Sequence, residues 1–294
     1  MRKALFIGSA CIDVILYLER LPKTEEDIHP QKQVMQLGGC AGNAARACRL
    51  VTQGVELASP VGTGVFGELT EKLLTQAGLP VRIRSEEENG CCYCLVEKGG
   101  ERTFLSVHGA EYVFRKEWMQ PYDAMDIESV YVCGLEVEEP TGEALVAYLE
   151  EHPGRQLFYC PGPRGILLKE RNERIFALHP VLHLNRAEAL LLSGKRSVEE
   201  AAEALGQLTE NTVIITMGVD GAYALPKEGG GFFVPGEKAQ VVNTIGAGDT
   251  HAGVLMGALL EGASLKEALV TANHAAAKAV ESGAGVPEGA SLKQ

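Results

Sequence analysis

The strongest chemical signal in the sequence is residues 243–250, which read Asn-Thr-Ile-Gly-Ala-Gly-Asp-Thr and lead into an apolar stretch of helical character. Small residues at the start of a helix leave backbone N–H groups free, and such groups bind phosphate. Asp249 follows at once and could take a proton from an attacking hydroxyl. We therefore expect phosphoryl transfer, with Gly246, Ala247 and Gly248 stabilising negative charge and Asp249 as catalytic base. A simple helix cap is the other interpretation of Asp249.

A second segment, residues 38–45, could bind the acceptor of such a reaction. Gly38 and Gly39 would let the backbone approach a ligand closely, and Asn43 offers both a donor and an acceptor to hydroxyl groups. Taken alone, the segment also fits a turn before a capped helix. Arg164, on a Pro-Gly loop, could bind an acidic group of a substrate or a phosphate, or could lie on the surface.

Alternating strands and helices must position these residues. Short apolar runs predict buried strands at residues 4–7, 56–58, 129–132, 156–159, 181–184 and 212–216. Helical patterns fall between most of them, at residues 41–50, 69–76, 141–151, 197–208, 249–260 and 265–280. This order predicts a three-layer α/β/α fold, in which helices cover both faces of a mainly parallel sheet.

Two segments interrupt the alternation, residues 12–36 and 91–107. Neither has a helical pattern, and the second is rich in β-branched and aromatic residues around a Lys-Gly-Gly turn. They could pair into a small separate sheet above the carboxyl edge of the main sheet, where open α/β proteins bind ligands. We expect this small sheet to form a lid.

The composition excludes several classes of partner. The chain has 294 residues and a net charge of −12, and no run of Lys or Arg could follow a nucleic acid or an anionic membrane. Its amino terminus lacks the apolar segment of a signal peptide, and no stretch is apolar enough for a membrane span. With eight scattered cysteines, we expect a reduced cytoplasmic protein.

The cysteine cluster at Cys91, Cys92 and Cys94 raises the question of a metal site. A soft-metal site needs convergent thiolates and further ligands, and no second pair follows at suitable spacing. Packed strand thiols are therefore the favoured interpretation. We likewise expect His251 and His274 to be packed or capping residues.

A competing signal lies at residues 62–67, which match the dinucleotide pattern G-x-G-x-x-G and precede a Glu-rich stretch, residues 86–88. A nicotinamide-dependent oxidoreductase is thus an alternative, although it would leave residues 246–249 without a role.

Glu136, just after a predicted strand, could touch substrate hydroxyls, but an exposed, solvated carboxylate is the favoured interpretation.

Several of these segments together resemble the ribokinase-like (PfkB) carbohydrate kinases. Residues 243–249 are similar to the signature D-T-x-G-A-G-D of that family, with Asn243 in place of the first Asp. Residues 38–45 resemble its sugar-binding turn, G-G-x-x-x-N-x-A. Further matches follow the chain order of the family at residues 8–13 (strand and sugar-binding Asp), 185–188 (N-x-x-E), 216–221 (T-x-G-x-x-G) and 273–277 (helix beside the adenine).

The resemblance implies a single kinase domain over residues 1–294 that uses ATP and Mg²⁺ to phosphorylate a hydroxyl of a sugar or sugar-like molecule. The acceptor is expected under the lid, at Asp13, Gly38, Gly39 and Asn43. The implied nucleotide-binding residues are Asn185, Thr216, Gly218, Gly221 and Asn273, and Glu188 is expected to organise the metal through water. Relatives often pair through the lid, so a homodimer is expected.

Three points stay open. Because Asn243 is neutral where the family has a carboxylate that helps to hold a monovalent cation, we expect little stimulation by potassium. The acceptor could be a nucleoside, since the same scaffold serves nucleosides. A ligand sensor without catalytic activity is the alternative from another class, and the intact residues 246–249 argue against it.

Overall fold

The computed structural model describes residues 2–283 and 285–287, and its centre is an eight-stranded sheet. In spatial order the strands are β14, β13, β12, β11, β10, β9, β1 and β4. Six are parallel, and β13 and β14 are antiparallel at one edge. The ranges are β1 Lys3–Ile7, β4 Val55–Ala58, β9 Ile127–Cys133, β10 Gln156–Cys160, β11 Val181–Asn185, β12 Val213–Thr216, β13 Gly221–Leu225 and β14 Phe232–Pro235.

Helices cover both faces of this sheet. They are α1 Cys40–Cys48, α2 Gly64–Gln76, α3 Gln120–Asp123, α4 Gly134–Glu138, α5 Gly142–Glu150, α6 Lys169–Phe176, α7 Arg186–Ser193, α8 Val198–Thr209, α9 Ala247–Leu260 and α10 Leu265–Ser282. Successive strand residues point to opposite faces, so Phe6 packs in the core with α1 and α9, whereas Leu5 packs in the core with α5 and α8. The predicted three-layer fold is confirmed.

Helix α2 begins well before the predicted start at residue 69. The two glycines at the start of α2 are poor helix formers, which is why the sequence pattern starts only at Leu69. A Cβ on Gly67 would lie 2.2 Å from the carbonyl oxygen of Gly62. Glycine at this position therefore lets the first turn of the helix pack directly on the preceding strand.

The predicted small sheet is also confirmed. Its strands lie in the order β3, β2, β7, β8, with the ranges Cys11–Leu18 (β2), Lys32–Gly38 (β3), Cys91–Glu97 (β7) and Arg102–Val107 (β8). Strands β2 and β7 pair in parallel, and Asp13 lies opposite Cys92. The sheet therefore joins two segments that are far apart in the chain.

The G-x-G-x-x-G segment lies outside the central sheet. Strand β5, Pro60–Thr63, pairs with β6, Ile83–Glu88, in a separate two-stranded sheet. A dinucleotide fingerprint requires a strand of the main parallel sheet before the glycine-rich turn. The structure therefore gives the nicotinamide alternative no support.

No helix within the described part of the chain is both long enough and apolar enough to cross a membrane.

Candidate active site

The Gly246–Asp249 segment forms the first turn of α9. Gly246 is the N-cap residue, with φ of 71°, a conformation that favours glycine. Asp249 is the third residue of the helix, and no side-chain hydrogen bond caps the helix start. The interpretation of Asp249 as a helix cap is therefore wrong. A Cβ on Gly248 would meet no atom of the described residues within 4 Å, so they leave the space beside this residue open to a ligand.

Asp249 is held in place by Asn43 of α1. The Nδ2 atom of Asn43 donates to Oδ2 of Asp249 over 3.2 Å. Burial is the main influence on this carboxyl and raises its pKa to about 7, with Glu136 adding to the rise, while the Asn43 hydrogen bond opposes it. A carboxylate with a pKa near neutrality is suited to accept a proton during catalysis.

Three cavities meet at this helix start. A cavity of about 610 Å³ lies under the small sheet and is lined by Asp13, Asn43 and Asp249. A second, of about 220 Å³, lies between β12 and α10. The third, of about 230 Å³, lies between them, and Asp249 and Gly248 both line it. Asp249 therefore faces the large cavity and the middle one, and Gly248 links the middle one to the second.

Asp13 lies in the wall of the large cavity. Its side chain is buried, and none of the described residues donates a hydrogen bond to its carboxylate. Burial, followed by the charges of Cys92 and Asp249, raises the pKa of Asp13 to about 8, and Arg46 opposes this rise. An unpaired buried carboxyl group is costly unless a ligand supplies hydrogen bonds, so Asp13 is well placed to receive ligand hydroxyls.

The glycines beside Asp13 make room for it. A Cβ on Gly38 would lie 2.2 Å from the Asp13 carboxyl carbon, and one on Gly39, with φ of 80°, would lie 2.5 Å from the carbonyl oxygen of Ser9.

Arg164 lines both the large and the middle cavity. Its Nε donates to Glu138 over 2.8 Å, so the guanidinium group is already paired with a carboxylate.

The second cavity has apolar walls and small residues. Thr216, Gly218 and Gly221 lie on one side, with α10 on the other. Asn273 also lines it, but the amide of Asn273 donates to the carbonyl oxygens of Val234 and Pro235. Asn273 therefore shapes the wall while its own amide donors are engaged within the protein.

Asn185 and Glu188 line the middle cavity at the start of α7. They form a capping box, in which Asn185 Oδ1 accepts from the Glu188 N–H and Glu188 Oε2 accepts from the Asn185 N–H, each over 2.9 Å. Burial raises the pKa of Glu188. The capping box holds this carboxylate at the cavity wall, where it could contribute to a metal site through water.

One prediction near the site is wrong, that of an exposed Glu136, and one residue, Arg46, was missed. Glu136 is buried rather than exposed, and its Oε1 accepts from the N–H and hydroxyl of Ser9 over 2.8 and 2.9 Å. From the sequence, only the position of Glu136 after a strand could be predicted. In the structure, the short helix α4 directs its side chain inward. Arg46 stands three residues after Asn43 in an alanine-rich helix, and this helical spacing was the available signal.

His251 is buried and His274 is paired, as expected for packed or capping residues. His183 Nε2 lies 2.8 Å from His251 Nδ1, and His251 Nε2 lies 3.1 Å from Asn273 Oδ1. Burial lowers the pKa of His251 to about 4. His274 contacts Glu237 over 2.8 Å.

The three clustered cysteines do not share one environment. Cys91 and Cys94 are buried, whereas Cys92 is half-buried and lines the large cavity. The Cys94 thiol contacts the Cys92 sulfur over 3.7 Å and lowers the pKa of Cys92 to about 7.

The fold and the site together define a small-molecule phosphotransferase, in which a helix N-terminus and a carboxylate lie where the three cavities meet. A family model described as pfkB family carbohydrate kinase matches residues 1–287. The chain belongs to this family. The resemblance found in the sequence is thus confirmed, as is the expected reaction, ATP-dependent phosphorylation of a hydroxyl of a sugar or sugar-like molecule.

Individual relatives agree with this assignment. The chain is 33% identical over 281 residues to the uncharacterized sugar kinase YegV of Escherichia coli K12, covering 94% of this chain and 87% of that protein. It is 26% identical over 290 residues to a ribokinase of Haemophilus influenzae, covering 95% and 93%. The solved ribokinase of Thermotoga maritima superposes with a TM-score of 0.84 at 23% identity, covering 99% and 97%.

Proposed function

We propose that Asp249 is the catalytic base that takes the proton from the acceptor hydroxyl as the γ-phosphoryl group of ATP is transferred. One observation carries this proposal: Asp249 lines both the large and the middle cavity at the start of α9, with its pKa raised to about 7. Backbone N–H groups of Gly246, Ala247 and Gly248 would stabilise negative charge on the transferring group. The Ala247 N–H also donates to the Thr244 carbonyl oxygen over 3.3 Å, so Gly246 and Gly248 would contribute most.

The acceptor binds in the large cavity under the small sheet. Asp13 would accept hydrogen bonds from acceptor hydroxyls, since its buried carboxylate receives none from the described residues. Asn43 would add a contact, and Gly38 and Gly39 would leave room for the acceptor. Arg164, which also lines this cavity, would reach it as well. Ribose is the natural first candidate because a ribokinase is among the relatives.

ATP binds with its base in the apolar cavity and its phosphates toward α9. Thr216, Gly218, Gly221 and Asn273 would form the nucleotide walls, and Asn185 would lie near the phosphates. The middle cavity has no cationic side chain other than Arg164 among its described lining residues, so the converging phosphates need Mg²⁺. Glu188 would hold that ion through water.

Asn243 argues against a strong requirement for a monovalent cation. Its Nδ2 donates to the carbonyl oxygen of Gly283 over 2.9 Å, and its Oδ1 accepts from the Ile245 N–H over 3.0 Å. The amide thus makes neutral hydrogen bonds where a carboxylate would attract a cation.

The predicted kinase domain, residues 1–294, would have residues 12–36 and 91–107 as its lid; residues 1, 284 and 288–294 lie outside the described residues. A dimer through the lid is supported by edge strand β8, where Phe104, Leu105 and Val107 are each at least half exposed. A cytoplasmic location is supported by the eight cysteines, all of which are free thiols.

The test is a panel of sugars, sugar acids and nucleosides incubated with ATP, Mg²⁺ and the purified protein. ADP release together with a phosphorylated product, identified by mass spectrometry, is the expected result for at least one acceptor. The Asp249→Asn protein should give neither. If a sugar or nucleoside bound tightly but no panel member were phosphorylated, the chain would be a ligand sensor instead.

A further inference from the structure

A cluster of metal-ligating side chains lies in the wall of the acceptor cavity. The carboxylate of Asp13 and the thiols of Cys92 and Cys94 place their ligand atoms within 4.8 Å of one another. Strands β2 and β7 explain this proximity, because Asp13 lies opposite Cys92 in a parallel pair and residues two apart on a strand share a face. The spacing of the cysteines in the sequence could not reveal Asp13 as the third ligand, because Asp13 lies on another strand.

The spacing of the two sulfur atoms suits one particular class of ion. Cys92 Sγ and Cys94 Sγ lie 3.7 Å apart. Two thiolates bound tetrahedrally to Zn²⁺ at about 2.3 Å each are separated by about 3.8 Å. The pair could therefore bind a zinc-like ion with little movement of the strand.

The surroundings suit a partly enclosed site with one open side. Asp13 and Cys92 line the cavity, while Cys94 is 1% exposed and lies behind them. Three protein ligands leave the fourth position of a tetrahedral ion for water or a ligand. Arg46 lies close enough to Asp13 to affect its charge, and it would offset part of the negative charge of two thiolates and a carboxylate.

We propose that Asp13, Cys92 and Cys94 bind a thiophilic divalent cation such as Zn²⁺, and that the bound ion excludes the phosphate acceptor from the cavity. Binding releases the thiol protons to solvent, since the thiolate is the form that ligates a metal. The exclusion of the acceptor rests on the proposed function, because it requires Asp13 to be the group that receives acceptor hydroxyls. Zn²⁺ would then be an inhibitor, distinct from the Mg²⁺ that accompanies ATP.

Direct binding is the first test and needs no acceptor. The full-length reduced protein is titrated with Zn²⁺ against a chelator indicator, and with Cd²⁺ while the thiolate charge-transfer absorption is followed in the ultraviolet. The Cys92→Ser and Cys94→Ser proteins are compared with Cys91→Ser, whose side chain is on the same strand but points to the other face of the small sheet.

We expect Cys91→Ser to bind like the wild-type protein. Cys92→Ser and Cys94→Ser should each lose more than the roughly tenfold to hundredfold affinity that is lost when a residue hydrogen-bonded to a metal ligand is removed. Equal Zn²⁺ affinity in Cys94→Ser and wild type would overturn the proposal and assign binding to other thiols, such as those of Cys40 and Cys133. Thermal unfolding of each variant shows whether a loss of binding reflects a loss of folding.

Competition is the second test. At free Zn²⁺ about ten times its dissociation constant, the apparent KM for the acceptor should rise about tenfold while kcat at saturating acceptor is unchanged. Metal buffers with excess Mg²⁺ keep the nucleotide in its usual form. By reciprocity, saturating acceptor should weaken Zn²⁺ binding by the same factor. If the affinity for Zn²⁺ were the same with and without saturating acceptor, the proposed exclusion of the acceptor would be wrong. A failure of the proposed function would appear differently, as intact Zn²⁺ binding without any phosphorylated product.

Discussion

Asn43 of α1 and Asp249 of α9 are 206 residues apart in the chain and are joined by a hydrogen bond of 3.2 Å. The two helices pack closely enough that a Cβ on Gly253 would lie 2.0 Å from the carbonyl oxygen of Ala44. Glycine at this crossing brings the two side chains together. The bond couples the acceptor-binding segment to the candidate base, because the same amide that faces the acceptor cavity also holds Asp249 in position.

The apparent pKa of the acidic limb of the pH–rate profile should depend on this hydrogen bond. In the wild-type protein kcat/KM should fall below an apparent pKa near 7, because a protonated Asp249 cannot accept the hydroxyl proton. Asn43→Ala removes a bond that lowers this pKa, so the limb should shift upward by about one pH unit, as expected for a hydrogen bond to a charged group. The measurement is kcat/KM from about pH 5 to 9 on the identified acceptor.

Asn43→Asp supplies a matched comparison. A second carboxylate beside Asp249 should raise the apparent pKa further than Asn43→Ala does, because like charges disfavour ionisation. Both variants should also raise KM, since Asn43 faces the acceptor. An acidic limb that stays in place in both proteins would show that another group titrates.

Asp249→Asn should lower kcat by about a hundredfold to ten-thousandfold, the usual range for loss of a general base. KM should change little, because the interaction is made chiefly in the transition state. Steady-state kinetics on the identified acceptor measure both. A folded variant that retained more than about a tenth of wild-type kcat, short of that range, would place the base elsewhere.

The same substitution should change the pH dependence of stability. An unfolded Asp ionises near pH 3.9, whereas folded Asp249 ionises near pH 7, so between these values the unfolded state binds fewer protons and wild-type stability falls as pH rises. The Asp249→Asn protein lacks this titrating group, so it does not lose stability in this way. Its melting temperature relative to wild type should therefore increase from about pH 4 to 7 and stay level above. Asp126→Asn, at an exposed position, is the control and should show no such trend.

Local patterns sufficed for most of the fold. The buried strands and long helices could be predicted because their apolar residues repeat with the period of each element. The start of α2 could not, since Gly64 and Gly67 are poor helix formers, and the close packing of Gly67 on Gly62 appears only in three dimensions.

From the residues alone, without the family resemblance that also grouped Asp13 with Asn43, the site was predictable only where its residues are adjacent in sequence. Residues 246–249 are consecutive, so their meeting at one helix start could be inferred. Burial of Glu136 depends on the turn of α4 and on Ser9 from a distant loop. The pairing of Asp13 with Cys92 depends on strand register, which a single sequence does not specify.

Removal of divalent metal should abolish activity. The phosphates of ATP would lie between Asp249 and Glu188, and two carboxylates beside converging phosphates require a bridging cation. Protein treated with EDTA and gel-filtered into metal-free buffer should release no ADP above background, and added Mg²⁺ or Mn²⁺ should restore the rate. Full ADP release in metal-free buffer would contradict this prediction.

Potassium should have little effect on the wild-type protein. Asn243 is buried, and its amide donates to the carbonyl oxygen of Gly283 and to the hydroxyl of Tyr17. A neutral donor directed at a carbonyl oxygen occupies a position that a cation would need. Replacing potassium with tetramethylammonium at constant ionic strength should therefore leave kcat nearly unchanged.

Asn243→Asp should create the dependence that the wild-type protein lacks. The new carboxylate would face the Gly283 carbonyl oxygen without a donor between them, and a buried carboxylate opposite another acceptor is costly unless a cation lies between the two. Both kcat and the melting temperature of this variant should rise with potassium and stay low in tetramethylammonium. Asn243→Gln keeps the amide and is the control for altered packing, so it should not respond to potassium. If wild-type activity collapsed in tetramethylammonium, backbone carbonyl groups alone would be holding the ion, and the neutral side chain of Asn243 would not decide cation use.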